Sequence, residues 1–501
     1  MYSLINHKNN KDDFLGQGSY GCVYYPGIDC KGKKNTKKTV TKVQEINFYS
    51  KNEKNIGFFM KKNIKNFKNY FSPIIKACIV KFDIIEKSDL NLKKCDTLFE
   101  DYNSSIANVL NYTYTNYDTN DTNYNTNYNT NPNDDFRNTT IYDNDTQDTS
   151  KQQVYTEYFL MYSYYVKNKS LKEYYSNTTN YADCVISILN NFSYLLNSLM
   201  LLNKHKIVHN DLHVNNILIN LKTNKPIILD FGLSFQINKC YKLNKNSIDF
   251  YYLKKFIFDF RLDHYHINIE KRFLCFFLYN TSQDFYSIID TNDAVNLLTK
   301  TTIDLFINDS YDSIVKNKEI SEFFSNDELS EYKKALQLFY YKFHNKTDYP
   351  TYSTIVKYLL DFVYAYNDLY SLTIDLLYIY HNNKVFLKNI DTTEKKNLKI
   401  FLDFFIQLYK KVLYPDPNMR LQIKELYNIY MYIINYIKNV AISDSDSDSE
   451  PEYVAHFIIA FTKFLKSKSI SIEVVFNKKF AFLNFNLLLN KTMFKFVKTY
   501  I

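Results

Sequence analysis

The chain has 501 residues, 46% hydrophobic and 18% aromatic, enough for an ordinary buried core in two or three domains or in one large bilobal unit. Its 62 Lys and Arg against 53 Asp and Glu leave a formal charge of +9 without a dominant basic block, which argues against nucleic acid as a partner and for a solvated surface mildly attractive to anions. No run approaches the ~18 apolar residues of a membrane span, and the first ten residues lack an apolar signal core, so neither insertion nor secretion is expected.

In chain order, the first element is residues 14–25, FLGQGSYGCVYY, where Gly16, Gly18 and Gly21 fall in a G-x-G-x-x-G-x-V pattern between short apolar runs. In a chain with only seven glycines this reads as a β-hairpin whose turn, including Ser19, can approach phosphate closely. Thr39 to Val43 is a β-branched strand with Lys42 inside it. A helix follows, with Ile56, Met60, Ile64 and Phe67 recurring on one face that Glu53 shares; Gly57 is expected to weaken it. Residues 74–85 read as the next strand. Residues 103–153 are polar and repetitive and read as a disordered insertion. Residues 158–175 then give an apolar strand, a short connection and a helix start, and residues 182–206 an apolar helix.

Residues 207–232, IVHNDLHVNNILINLKTNKPIILDFG, carry Asp211, Asn216 and Asp230 on loops around an apolar strand. Two carboxylates and an amide at this spacing suit phosphoryl transfer, in which a base takes the acceptor's proton and oxygen ligands hold magnesium. The seven cysteines, at 22, 30, 78, 95, 184, 240 and 275, show no C-x-x-C pair, and a reducing, cytoplasmic compartment is the expectation.

HNDLHVNN at 209–216 followed by DFG at 230–232 resembles the H-R-D-L-x-x-x-N and D-F-G signatures of the protein kinase superfamily, with Asn210 and His213 as departures. The resemblance implies an α+β, bilobal kinase-like fold over residues 12–438: a small β-rich lobe (12–163) with one helix, and a mainly helical lobe (167–438) with an insertion at 280–360. It implies that ATP and Mg2+ are bound, with Lys42 on the phosphates and paired to Glu53, Asp211 as base, and Asn216 and Asp230 on the metal. Ser163 would be the gatekeeper, backbone groups from Tyr164 to Val166 would meet the adenine edge, and Val23, Val40 and Leu218 would cover its faces.

No A-P-E follows the D-F-G, so the activation segment would end at Glu270. NDLYSLTIDLLYIY at 367–380 resembles the family's helix αF, whose Asp368 would anchor the catalytic loop, and YPDPNMRLQIKELYN at 414–428 resembles its last subdomain, where Arg420 would pair with Glu270. Asn210 carries no charge, so phosphate on Ser234, Tyr241 or Ser247 would lack its usual arginine partner. Residues 443–452 form an acidic linker, and residues 453–501 carry no functional reading beyond a short amphipathic stretch at 457–465.

The implied function is ATP-dependent phosphorylation of Ser/Thr in protein substrates, in a divergent form similar to the kinases of large DNA viruses. The rivals are a small-molecule phosphotransferase, favoured by the H-x-D-L-H-x-x-N spelling, and a pseudokinase.

Overall fold

The computed structural model describes residues 13–18, 21–35, 38–96, 157–176, 181–242, 247–258, 267–281, 298–345, 347–349, 351–382 and 405–443. Two compact units divide them, one comprising residues up to 167 together with 228–233, the other 168–227 and the chain from 234 onward. Ser19 and the segments at 103–153, 443–452 (beyond Ser443) and 453–501 lie outside the described residues.

The first unit is an antiparallel sheet of β1 (Phe14–Gly18), β2 (Gly21–Tyr24), β3 (Thr39–Glu45), β4 (Lys76–Lys81) and β5 (Glu157–Tyr164) in the order β1-β2-β3-β5-β4. Strand β5 is buried on both faces. Tyr158, Leu160 and Tyr162 enter one cluster with Cys22, Tyr24 and Val43, while Phe159 and Met161 enter another with Ile74. This two-sided burial is why β5 reads as a continuous apolar run.

Helix α1 (Phe48–Asn63) begins at a capping box between Asn47 and Ser50, and its buried residues include Glu53, Ile56, Gly57 and Met60. It stops where Ile64 becomes extended and Asn66 turns left-handed, so Phe67 lies in a separate 3-10 turn rather than on the helix. Gly57 has a packing reason. A Cβ there would stand 2.3 Å from the carbonyl oxygen of Ile74. The strand expected over 74–85 is shorter: β4 ends at Lys81, and α2 (Phe82–Glu86) follows because Phe82 and Ile85, three apart, bury one helical face.

Four cysteines depart from the expectation of reduced thiols. Disulfides join Cys22 to Cys95 and Cys30 to Cys78, with Cα atoms 5.9 and 6.1 Å apart. Sequence separations of 73 and 48 hid these pairs from any reading of local spacing.

In the second unit, β6 (Asn168–Ser170), β8 (Ile217–Asn220) and β9 (Lys225–Ile228) form one small sheet, and β7 (Ile207–Val208) pairs with β10 (Phe235–Gln236). Helices α3 (Leu171–Ser176) and α4 (Tyr181–Lys204) precede these strands' loops, and α5 (Phe250–Leu253) and α6 (Ile269–Thr281) follow. The helical insertion contains α7 (Lys300–Val315), α8 (Lys318–Ser321) and α9 (Asn326–Tyr340), the last opened by a Ser325/Glu328 capping box.

Helix α10 (Tyr352–Asn382) starts well before the helix expected at 367, because the buried series Tyr352, Ile355, Val356, Leu359, Val363 and Tyr366 keeps one helical face unbroken into Leu369 and Tyr370. Helix α11 (Ile423–Ser443) packs with α4, where the ring of Phe192 lies 5.4 Å from Tyr409 and 4.9 Å from Tyr430. Those tyrosines satisfy each other's buried hydroxyls at 2.6 Å. No helix among the described residues is long and apolar enough to cross a membrane.

Arg420 reaches Glu270 through two bonds of 2.9 and 2.8 Å, with both side chains fully buried. Removing one partner of such a pair strands a charge. Arg420→Met is therefore expected to lower the unfolding free energy by about 3–5 kcal/mol in urea titrations, with much of the loss recovered in the Glu270→Met/Arg420→Met double variant. Gly57→Ala should destabilise by about 1–3 kcal/mol although alanine is the better helix former, since the Ile74 backbone must move.

Candidate active site

In the first unit, β3 places Lys42 opposite Val23 of β2 and Met161 of β5, at the centre of the sheet. Its ammonium bonds Glu53 Oε2 at 2.8 Å and lies 3.8 Å from Asp230 Oδ1. Lys42 and Glu53 are both buried. Burial pushes the Glu53 carboxyl up from its usual range; the Lys42 ammonium opposes that rise, and the Asp230 charge adds to it.

Asp230 belongs to this unit because Ile228 pairs with the chain at Phe71: its N–H donates to Tyr70 O at 3.0 Å, and its carbonyl accepts from Ser72 N at 2.9 Å. Phe231 is buried with its ring 5.9 Å from that of Phe71. Asp230 adopts a left-handed φ of 55°, and its carboxylate accepts from Gly232 N at 3.3 Å. Asn52 of α1 donates to Gly232 O at 3.0 Å. The segment is thus fixed at three consecutive residues, which brings its carboxylate to Lys42.

Gly16 and Gly18 lie on β1, and Gly21 opens β2 opposite Gly18. At Gly21 the demand for glycine comes from the sheet, since a Cβ would meet Val43 O at 2.2 Å. Val23 and Val40 are half-buried, and Val40 faces Ser163 across β3 and β5. Beyond Ser163, Tyr164 O accepts from the Ser72 hydroxyl at 3.2 Å and Tyr165 N donates to Lys38 O at 3.0 Å; Val166 follows in irregular chain. Part of the backbone expected to meet adenine is therefore already bonded within the protein.

In the second unit, the 209–216 loop hangs on two carboxylates of α10. Asp368 accepts from His209 N at 2.7 Å and Asn210 N at 2.9 Å, and Asp375 accepts from Val214 N at 2.7 Å. The Ser234 hydroxyl donates to His209 O at 3.0 Å. Between these supports Asp211 keeps a side chain 39% exposed, accessible to an acceptor.

Asn216 donates through Nδ2 to Asp211 O at 2.8 Å. This bond fixes the amide's orientation and leaves Oδ1 as its cation-binding end. His213 Nε2 lies 3.8 Å from Asp211 Oδ2, and His213 Nδ1 accepts from Asn215 N at 3.2 Å. Leu218 is buried on β8. The oxygens of Asn216 and Asp230 have the hard-ligand chemistry that magnesium requires.

A family model described as protein kinase domain matches residues 145–255. That span is 111 of the chain's 501 residues, and over it the chain is similar to the protein kinase domain. No curated protein matches it. The matched span holds Asp211, Asn216 and Asp230, so the likeness to the protein kinase domain falls on these residues. Lys42 and Glu53 stand outside the span and rest on their own geometry.

Two residues around this candidate site escaped the sequence reading. Asp375 stands seven residues after Asp368, about two helical turns, and that spacing would have placed it on the same face. Lys271, whose Nζ donates to Asn210 Oδ1 at 2.7 Å, had no local signal. Asp375→Ala, which orphans the Val214 N–H, is expected to lower the unfolding free energy by about 1.5–3 kcal/mol, and Asp375→Asn, which keeps an acceptor, by less; chemical denaturation measures both.

Proposed function

We propose that the chain is a protein kinase that transfers the γ-phosphoryl group of ATP to Ser/Thr hydroxyls of protein substrates. The observation that carries this reading is the buried Lys42 ammonium, held by Glu53 at 2.8 Å with Asp230 at 3.8 Å. A lysine held in place by a carboxylate presents an ammonium whose charge suits phosphate oxygens. In this reading Gly16, Gly18, Ser19 and Gly21 line the phosphate loop, Val23, Val40 and Leu218 contact the adenine, and Tyr164 to Val166 supply its polar contacts.

Magnesium, held by Asn216 and Asp230, would neutralise charge on the phosphates. Asp211 takes the acceptor's proton as the hydroxyl oxygen bonds to the γ-phosphorus. The bond from that phosphorus to the bridging oxygen breaks, and ADP leaves with the electron pair. A small-molecule phosphotransferase is the second reading, favoured by His213, which approaches Asp211 where a charged lysine would otherwise stabilise the transferring phosphate.

The test is incubation of the purified chain with labelled ATP, magnesium and generic protein acceptors, followed by identification of the labelled residue. Asp211→Asn should cut turnover by about 10²–10⁴-fold while nucleotide binding persists, and Asp230→Asn should weaken magnesium-dependent nucleotide binding. Near-normal turnover in Asp211→Asn would sink the mechanism. Label on a small hydroxyl compound but never on protein would favour the second reading.

A further inference from the structure

Asn210, the residue immediately before Asp211, is held from four directions. Its backbone N–H donates to Asp368, its side-chain Nδ2 donates to Phe256 O at 2.9 Å, and its Oδ1 accepts from Lys271 Nζ at 2.7 Å. Asp211 continues the chain on the fourth side. The backbone of Asn210 takes a φ of 69°, a left-handed conformation that asparagine adopts more readily than most non-glycine residues.

Lys271 is fully buried. An ammonium in dry protein is destabilising by several kcal/mol unless polar partners compensate it, so its presence here points to what it holds. The charges facing Lys271 are the carboxylates of Asp211, from the loop, and Asp368, from α10, with the Cys275 thiol one turn along its own helix.

We propose that Lys271 is a positioning residue for the catalytic loop, its ammonium fixing Asn210 and through it the placement of Asp211. This inference rests on the kinase reading for its catalytic consequence, though not for the loop geometry itself. The loop's cation comes from α6 of the same unit and is in place without any modification of the activation segment. Burial is the main force on the group's own titration and draws its pKa down to about 7, against the opposing pull of Cys275, Asp211 and Asp368. The ammonium is present below that pH and is lost above it, so the support it gives weakens as the pH rises through neutrality.

The experiment compares the full-length chain with Lys271→Met and Asn210→Asp. Hydrogen exchange at pH 6.5 should show backbone amides of residues 209–214 exchanging at least tenfold faster in Lys271→Met, with α4 and α10 unchanged. In turnover assays that variant should lose at least tenfold in kcat with KM for ATP unchanged. The wild-type alkaline limb should be missing from its pH profile.

Asn210→Asp sets a carboxylate against the ammonium and should move the alkaline limb upward by one pH unit or more. Because it also gives up the bond to Phe256 O, the position of its limb is the readout, not its height. Unchanged exchange in Lys271→Met, or an Asn210→Asp limb that stays where the wild type's lies, would overturn the proposal. Should Lys271→Met fail to fold, the Asn210→Asp limb decides alone. A wild-type chain that transfers no phosphate defeats the kinase reading instead, and the exchange comparison still judges Lys271.

Discussion

Charge buried in dry protein must find its partner, and α6 meets that constraint three times in succession. Glu270, Lys271 and Arg272 are all buried at its start, and successive helical positions diverge by about 100°, so the three side chains reach different elements. Glu270 meets Arg420 ahead of α11, Lys271 meets Asn210 in the 209–216 loop, and Arg272 meets Asp309 of α7 at 3.1 Å. Fold stability, loop geometry and docking of the helical insertion are thereby joined at one helical turn. A shift of that turn would reach all three contacts, and the Glu270–Arg420 pair, buried on both sides, would tolerate it least.

The legible parts of this molecule are those whose physics is local. A β-branched run located β3 and a period-3.6 pattern located α1 with Glu53 on its buried face, while Lys42 was singled out by the family resemblance; the fold brings the two to 2.8 Å. Asp368 was legible through its sequence context on α10. The illegible parts depend on long-range closure: Cys22 with Cys95, Cys30 with Cys78, and Lys271 with Asn210 are each brought together only by the finished fold. Other misses came from competition between patterns. Phe82 and Ile85 fit a strand reading of β4 until their three-residue spacing is given weight, and the apolar face of α10 begins fifteen residues before its recognisable motif.

The absence of tryptophan from the sequence is answered in the core by tyrosine. Tyr380, Tyr409 and Tyr430 form a chain of hydroxyls at 3.4 and 2.6 Å in the second unit, so residues with polar tips fill volume that other proteins give to indole or leucine. Such a core demands more specific geometry than an aliphatic one, because each buried hydroxyl left without a partner is destabilising by roughly 1–3 kcal/mol.

The first unit is not a continuous piece of chain, since it borrows residues 228–233 from the middle of the sequence that forms the second. During synthesis, the ribosome must make residues 168–227 before Ile228 can pair beside Phe71 and before Asp230 can approach Lys42. At ~5–20 residues per second this leaves the unit incomplete for several seconds, with the Phe71 ring lacking its Phe231 cover. A nascent chain stalled at residue 167 therefore lacks Asp230, the aspartate that stands 3.8 Å from Lys42 in the finished unit.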